Sequence, residues 1–142
     1  MSFDAIGSLN WLAVIAGGVI YFALGAVWYS PVLLGRQWQR SIGWDPTRTP
    51  PQMSVTSYVV PFIAYLVMAV AVGMIAAATG SDGLADGIVL GLVVGIGLAA
   101  AHALVDATFD PNKPQPWTWF AITATYHALG LLIVAVLVSV WH

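Results

Sequence analysis

Cysteine is absent, and with it every disulfide, thiolate nucleophile and thiolate metal site. Charge is scarce as well. Asp, Glu, Lys and Arg together make up 7% of the 142 residues and 60% are hydrophobic, whereas a soluble domain devotes about a quarter of its residues to charge. A chain of this kind cannot cover itself with a water-compatible surface, so it reads as an integral membrane protein. Its four basic residues are too few and too scattered for a nucleic-acid surface. Before the first apolar run there is Asp4 and no Lys or Arg, the wrong flank for a secretory signal peptide, so that run is expected to be retained. No lipid anchor is expected, because Met1 is not followed by Gly and there is no thiol to acylate. Enzyme signatures are missing too: no Gly-rich phosphate loop opens a helix, there is no HExxH, and no serine sits in a nucleophile elbow, so no enzymatic activity is expected.

What is present is four long uncharged runs. They predict a single all-α domain over residues 1–142, a polytopic membrane protein with four transmembrane helices near residues 9–29, 57–79, 86–109 and 117–141 in an antiparallel bundle. Ser30-Pro31 ends the first helix, and Trp11, Trp28 and Tyr29 mark its interfacial ends. Leu34, Trp38 and Ile42 then share one helical face while Arg36 and Arg40 sit elsewhere, which predicts a short interfacial helix ending near Gly43; an irregular loop with both arginines at the headgroups is the alternative. Pro46, Pro50 and Pro51 break any helix that follows. Ser81, Asp82 and Asp86 gather at the start of the third helix, where the helix dipole favours negative charge, and need no chemistry to explain them. Arg36, Arg40 and Arg48 in the first loop and Lys113 in the third put both basic loops in the cytoplasm of a bacterial inner-membrane protein, with both termini outside.

The third run carries two stripes. Gly87, Gly91, Gly95, Ala99, Ala103 and Ala107 recur every fourth residue and offer a smooth seam to a neighbouring helix, as Gly17 and Gly25 do on the first helix. His102, Asp106 and Asp110 recur at the same interval and form a polar stripe. Asp106 and Asp110 lie at the C-terminal end of their helix, where the dipole repels anions, so they call for cationic partners among Arg36, Arg40 and Lys113.

Folding the last two helices into a hairpin about Lys113 brings His102 and His127 within about 4.5 Å of one another along the axis. His102, Asp106, Thr123, Tyr126 and His127 are thus expected to form one buried polar cluster, which Asn10, Tyr21, Tyr29 and Tyr65 could join. Such a cluster has three readings. It is structural glue in a subunit of a membrane complex or homo-oligomer, or an oligomeric pathway for protons or small ions, or a haem or metal site through His102 and His127. The small-residue seam leaves no gap for a porphyrin, so no cofactor or metal is assigned, and the expected partners are the bilayer and a membrane protein, a second copy included. His142 is given no role.

The opening NWLAVIAGGVIYFALGAVWYSPVLLGRQW resembles that of small bacterial membrane proteins grouped as domain-of-unknown-function family seventeen sixty-one. Asn10, Trp11, Gly25, Trp28, Tyr29, Pro31, Gly35 and Trp38 occupy the positions of that family's signature. The resemblance resumes from Gly87 to Asp110 and again from Ala121, where Tyr126-His127 and Trp141 match a Tyr-His pair and a final Trp. It implies a four-helix membrane protein and carries no activity with it. At Phe109-Asp110-Pro111-Asn112-Lys113 the chain is less basic than the family's usual Phe-Glu connection, and His102 and Asp106 lie outside its motifs.

Overall fold

The computed structural model describes residues 3–48 and 53–141, and every regular element within them is helical. Pro50, Pro51 and His142 lie outside the described residues. A short 3₁₀ helix, Phe3–Ser8, leads into α1 (Trp11–Trp28), whose first amides would be orphaned without a cap. Asn10 supplies it, its side-chain oxygen accepting from the Leu12 and Ala13 amides at 3.1 Å each. The short helix α2 (Gly35–Ser41) forms as expected: Leu34, Trp38 and Ile42 are half-buried, Arg36 and Arg40 are exposed, and Gly43 turns the chain away at a φ of 82°. Helix α3 (Thr56–Thr79) carries Pro61 in its second turn and stops at Gly80, which adopts a φ of 65° that a side chain would disfavour. Helix α4 (Leu84–Phe109) and helix α5 (Pro116–Val140) complete the chain, the latter opening on Pro116, which has no amide to leave unsatisfied.

Helices α1, α3, α4 and α5 are each long and apolar enough to cross a membrane. Helices α1, α3 and α5 surround a common interior, while α4 lies against α5 alone and makes no comparable contact with α1 or α3. The packing is that of helices which gain nothing by hiding hydrocarbon from hydrocarbon: small residues inside, branched aliphatics outside. Val19, Ile20 and Val27 of α1 are exposed, as are Val60, Ile63 and Val67 of α3, while Ala69, Ala76, Val134 and Ala135 fill the interior.

The antiparallel register is regular. Against α5, α1 pairs Asn10 with Trp141 through a 3.0 Å hydrogen bond to its carbonyl, and Gly17 with Val134. Against α5, α4 lays its glycines directly on backbone: a Cβ at Gly87, Gly91 or Gly95 would fall 2.8 Å from the Cα of Val136, 2.7 Å from that of Leu132 and 3.0 Å from that of Ala128. The packing seam expected on the third helix is present and faces α5.

That seam needs a change of helix geometry to stay straight. In an α-helix a step of four residues overshoots the turn of 3.6 by roughly 40°, so six small residues at that spacing would wind more than half-way round the helix. From Val93 to Ala100 the backbone of α4 is instead a π-helix, whose wider turn holds more residues and reverses the drift. Gly87, Gly91, Gly95, Ala103 and Ala107 are all buried in consequence, with Ala99 half-buried between them.

Candidate functional site

The polar interior of the molecule is built by α1, α3 and α5. Tyr21 and Tyr126 are 0% exposed, so each phenol must find a partner inside the bundle. Tyr21 Oη lies 2.5 Å from His127 Nδ1, and with the imidazole neutral and its proton on Nε2 the phenol donates. Tyr126 donates to the Tyr21 carbonyl at 3.1 Å, and Trp28 Nε1 donates in the opposite direction to the Ile122 carbonyl at 3.1 Å. Around these bonds Tyr65 stacks on Tyr21 at 4.3 Å between ring centroids, and Tyr29 meets Tyr126 edge-on at 5.1 Å.

Two glycines make this fit. A Cβ on Gly25 would stand 2.8 Å from the Tyr126 hydroxyl, and a Cβ on Gly130 would fall within the Tyr21 ring. Tyr21 and Gly25 are one turn apart on α1, and Tyr126 and Gly130 are one turn apart on α5. Each helix therefore offers a tyrosine to the other helix's glycine. The segments are Tyr21-Phe22-Ala23-Leu24-Gly25 and Tyr126-His127-Ala128-Leu129-Gly130, the same Tyr-x-Ala-Leu-Gly pattern run antiparallel about a local two-fold axis. The repeated five-residue pattern is present in the sequence, but a repeat does not say that its two copies pack on one another, and hairpin-by-hairpin comparison overlooks it because it relates the first helix to the last.

The expected single cluster is divided. His127, Tyr126 and Thr123 face α1 and α3, joined by Tyr21, Tyr29 and Tyr65, whereas His102 and Asp106 are exposed on α4. The reason is rotational. Ala103 and Ala107 take the face against α5, and a residue one position earlier points about 100° away. The side chains of His102 and Asp106 make no hydrogen bond or ion pair with the described residues. His102 and His127 accordingly lie on different sides of the α4–α5 pair and cannot ligate one haem or metal between them; among the described residues no group of three His, Asp or Glu gathers that could hold a metal ion. Asn10 belongs to the end of the bundle rather than to the cluster, and Trp28 is tied to α5 rather than serving only as an interfacial anchor. Thr123 Oγ1 is buried without a hydrogen-bond partner among the described residues.

The cationic partners expected for the two late aspartates appear for one of them. Lys113 bonds Asp110 and lies 4.2 Å over the Trp119 ring, while Asp106 has no such counterpart among the described residues and Arg36 and Arg40 stay exposed. The Lys113 ammonium, with help from the Asn112 amide, holds the Asp110 carboxyl below the usual carboxylate range. Thr47 does the same for Asp45 in the first loop.

Two clefts lie away from the tyrosines. One of about 260 Å³ opens at the end that carries the termini, lined by Ser8, Asn10, Ser81 and Trp141 among others. The other, of about 450 Å³, is an apolar groove on the outside of α4 and α5 between Ile96, Ala100, Phe120 and Leu129.

No curated protein and no solved structure matches the chain. The pattern of one family, described as a protein of unknown function (DUF1761), matches residues 12–139 and so takes in α1 through nearly the whole of α5. With that span of agreement, and with the four membrane-length helices the resemblance implied, the chain belongs to the DUF1761 family.

Proposed function

We propose that this protein is a structural or accessory subunit of a membrane assembly, held in the bacterial cytoplasmic membrane with its arginine-bearing end in the cytoplasm. The observation that carries the reading is the state of α4. One stripe of it is fixed to α5, and its open side displays His102 and Asp106 among aliphatic residues. Ionisable residues within membrane helices face protein or a water-filled cavity, because hydrocarbon offers them no partner. The interior supports the same reading. It is filled by interlocked tyrosines whose role is accounted for by close packing and interhelical hydrogen bonds.

The test is a photo-crosslinker placed at position 102 in cells that express the full chain at native level, followed by identification of what it captures. A reproducible protein adduct is expected. Adducts to lipid alone would overturn the reading.

A second reading is favoured by one observation, the phenol–imidazole bond between Tyr21 and His127 in the middle of the bundle. Such a pair can take up and release a proton, and with neighbouring hydroxyls it could serve as part of a proton pathway. Purified protein in liposomes under a pH gradient decides it. Flux lost on His127→Leu with the fold intact would support the pathway, and no flux in either direction would remove it.

A further inference from the structure

Helix α2 is fixed to the bundle by its inner face. Trp38 meets Tyr29 edge-on at 5.3 Å, the Gln115 amide donates to the Ser41 carbonyl at 3.3 Å, and a Cβ on Gly35 would collide with the Tyr29 carbonyl. Its outer face is held in place as a result. Arg36 and Arg40, one turn apart, stand exposed on that face, and the turn that leads into the helix leaves Val32 95% and Leu33 49% exposed.

The depth of α2 follows from the length of α1. The 18 residues of α1 span about 27 Å at helical rise, no more than the roughly 30 Å hydrocarbon core, so a helix that begins six residues later lies in the headgroup layer. Trp28, Tyr29 and Trp38 mark the same level.

The carboxylates of this end are engaged with other groups. Asp110 is bound to Lys113, and Asp45 accepts from Thr47 and pairs with Arg48 at 3.5 Å. The side chains of Arg36 and Arg40 make no hydrogen bond or ion pair with the described residues, although the Arg40 charge is felt at Asp45. Residues 49–52 are Thr-Pro-Pro-Gln and add no carboxylate. Two guanidinium groups therefore face the headgroup layer beside two bare aliphatic side chains. A guanidinium matches a phosphate with two parallel hydrogen bonds, and a phospholipid brings that phosphate and hydrocarbon to this depth in one molecule. Two uncompensated cations favour a lipid of net negative charge over a zwitterionic one. We propose that the outer face of α2 binds the phosphodiester headgroup of anionic phospholipids, with Arg36 and Arg40 on the phosphate oxygens and Val32 and Leu33 against the first methylenes of the acyl chains. This site is separate from the open side of α4 and does not depend on what covers that side.

The test uses the full chain in nanodiscs of phosphatidylcholine and phosphatidylglycerol in equal parts, with the lipids retained on the protein counted by native mass spectrometry. Phosphatidylglycerol should be retained in excess, and retention at the bulk ratio would overturn the proposal. Arg36→Gln and Arg40→Gln should each lower the excess about fivefold, the worth of one basic residue near an anionic surface, and the double variant should abolish it. Arg48→Gln removes a guanidinium already paired with Asp45 and should change little; a loss equal to that of the α2 variants would show that net charge alone is being read and would overturn the site. Both α2 arginines are exposed, so the variants should keep the parent's unfolding midpoint. If the double variant unfolds, the unsubstituted chain still decides, because the excess should shrink as ionic strength rises and a preference indifferent to salt would refute the arginine contact. Inorganic phosphate should displace no more lipid than chloride at equal ionic strength, and selective displacement would assign the arginines to free phosphate instead. A photo-crosslinker at position 33 should give lipid adducts, and a reproducible protein adduct there would overturn the lipid as occupant.

Discussion

Gly25 and Tyr126 show how much of this bundle depends on a missing methyl group. With the Tyr126 hydroxyl already fixed on the Tyr21 carbonyl, Gly25→Ala has no way to accommodate its Cβ, and overpacking of this kind costs about 1–3 kcal/mol. Thermal unfolding in detergent should show that loss, and Tyr126→Phe should recover part of it by removing the atom that collides. Gly97→Ala, where nothing lies within 4 Å, should leave the midpoint unchanged. The Tyr21–His127 bond is a separate matter. Tyr21→Phe keeps the stacked ring and removes only the hydroxyl, so the cost should be that of one interhelical hydrogen bond, about 0.6 kcal/mol on average and up to about 1.7. A double-mutant cycle with His127→Leu measures it, and no coupling would mean the two side chains are not bonded in the membrane. Asp110 is the residue for which pH matters. Its carboxyl is held below the ordinary value, so whatever its ion pair contributes is fully present above the unfolded value of about 3.9 and disappears as pH falls through the lower folded value. A carboxyl titration by NMR should find Asp110 below the reference and should find it moved up in Lys113→Met.

At the scale of the element, α4 is the helix whose sequence asks most of its backbone. Strict four-residue spacing of small residues conflicts with 3.6 residues per turn, and the π stretch Val93–Ala100 resolves the conflict. The consequence is that α4 depends on a single line of contact. Gly91→Leu would drive a side chain into the Leu132 backbone and should lift α4 from α5 without disturbing α1 or α3. Limited proteolysis reads this as faster cleavage in the connection around residues 110–115, and unchanged cleavage there would contradict the packing. The seam residues themselves were legible from spacing alone. The rotation of the polar stripe away from the interior was not, because a periodicity says which residues share a face and is silent on which face meets a neighbour.

For the whole molecule the arrangement is a three-helix interior with a fourth helix laid on one side. Helix α5 is the common element, in contact with α1, α3 and α4, and its C-terminal end is held by hydrogen bonds from Asn10 to the Trp141 carbonyl and from Gly83 to the Ser139 carbonyl. Native-state hydrogen exchange in detergent should therefore find the slowest amides in the middle of α5 and α1, around Tyr126 and Tyr21. Faster exchange is expected in the π stretch of α4, where the backbone geometry is less favourable and only one side is covered. If α4 proved as protected as α5, either a stable partner covers it or the packing differs from that described.

Composition, run length and charge placement were enough to determine four membrane-length helices, a short amphipathic helix after the first, and the small-residue seam on the third. These follow from local rules: each run must be long enough for hydrocarbon, each helix must end where Pro31 or Gly80 ends it, and glycines must repeat where another backbone comes close. Only the tertiary structure decided that Tyr21 and Tyr126 interlock through each other's neighbouring glycines, and that His127 turns inward while His102 and Asp106 turn out. The physical reason is that a membrane helix apolar on every side does not announce its buried face. That face is chosen by which backbones can approach most closely, a property of pairs of helices that no single segment contains.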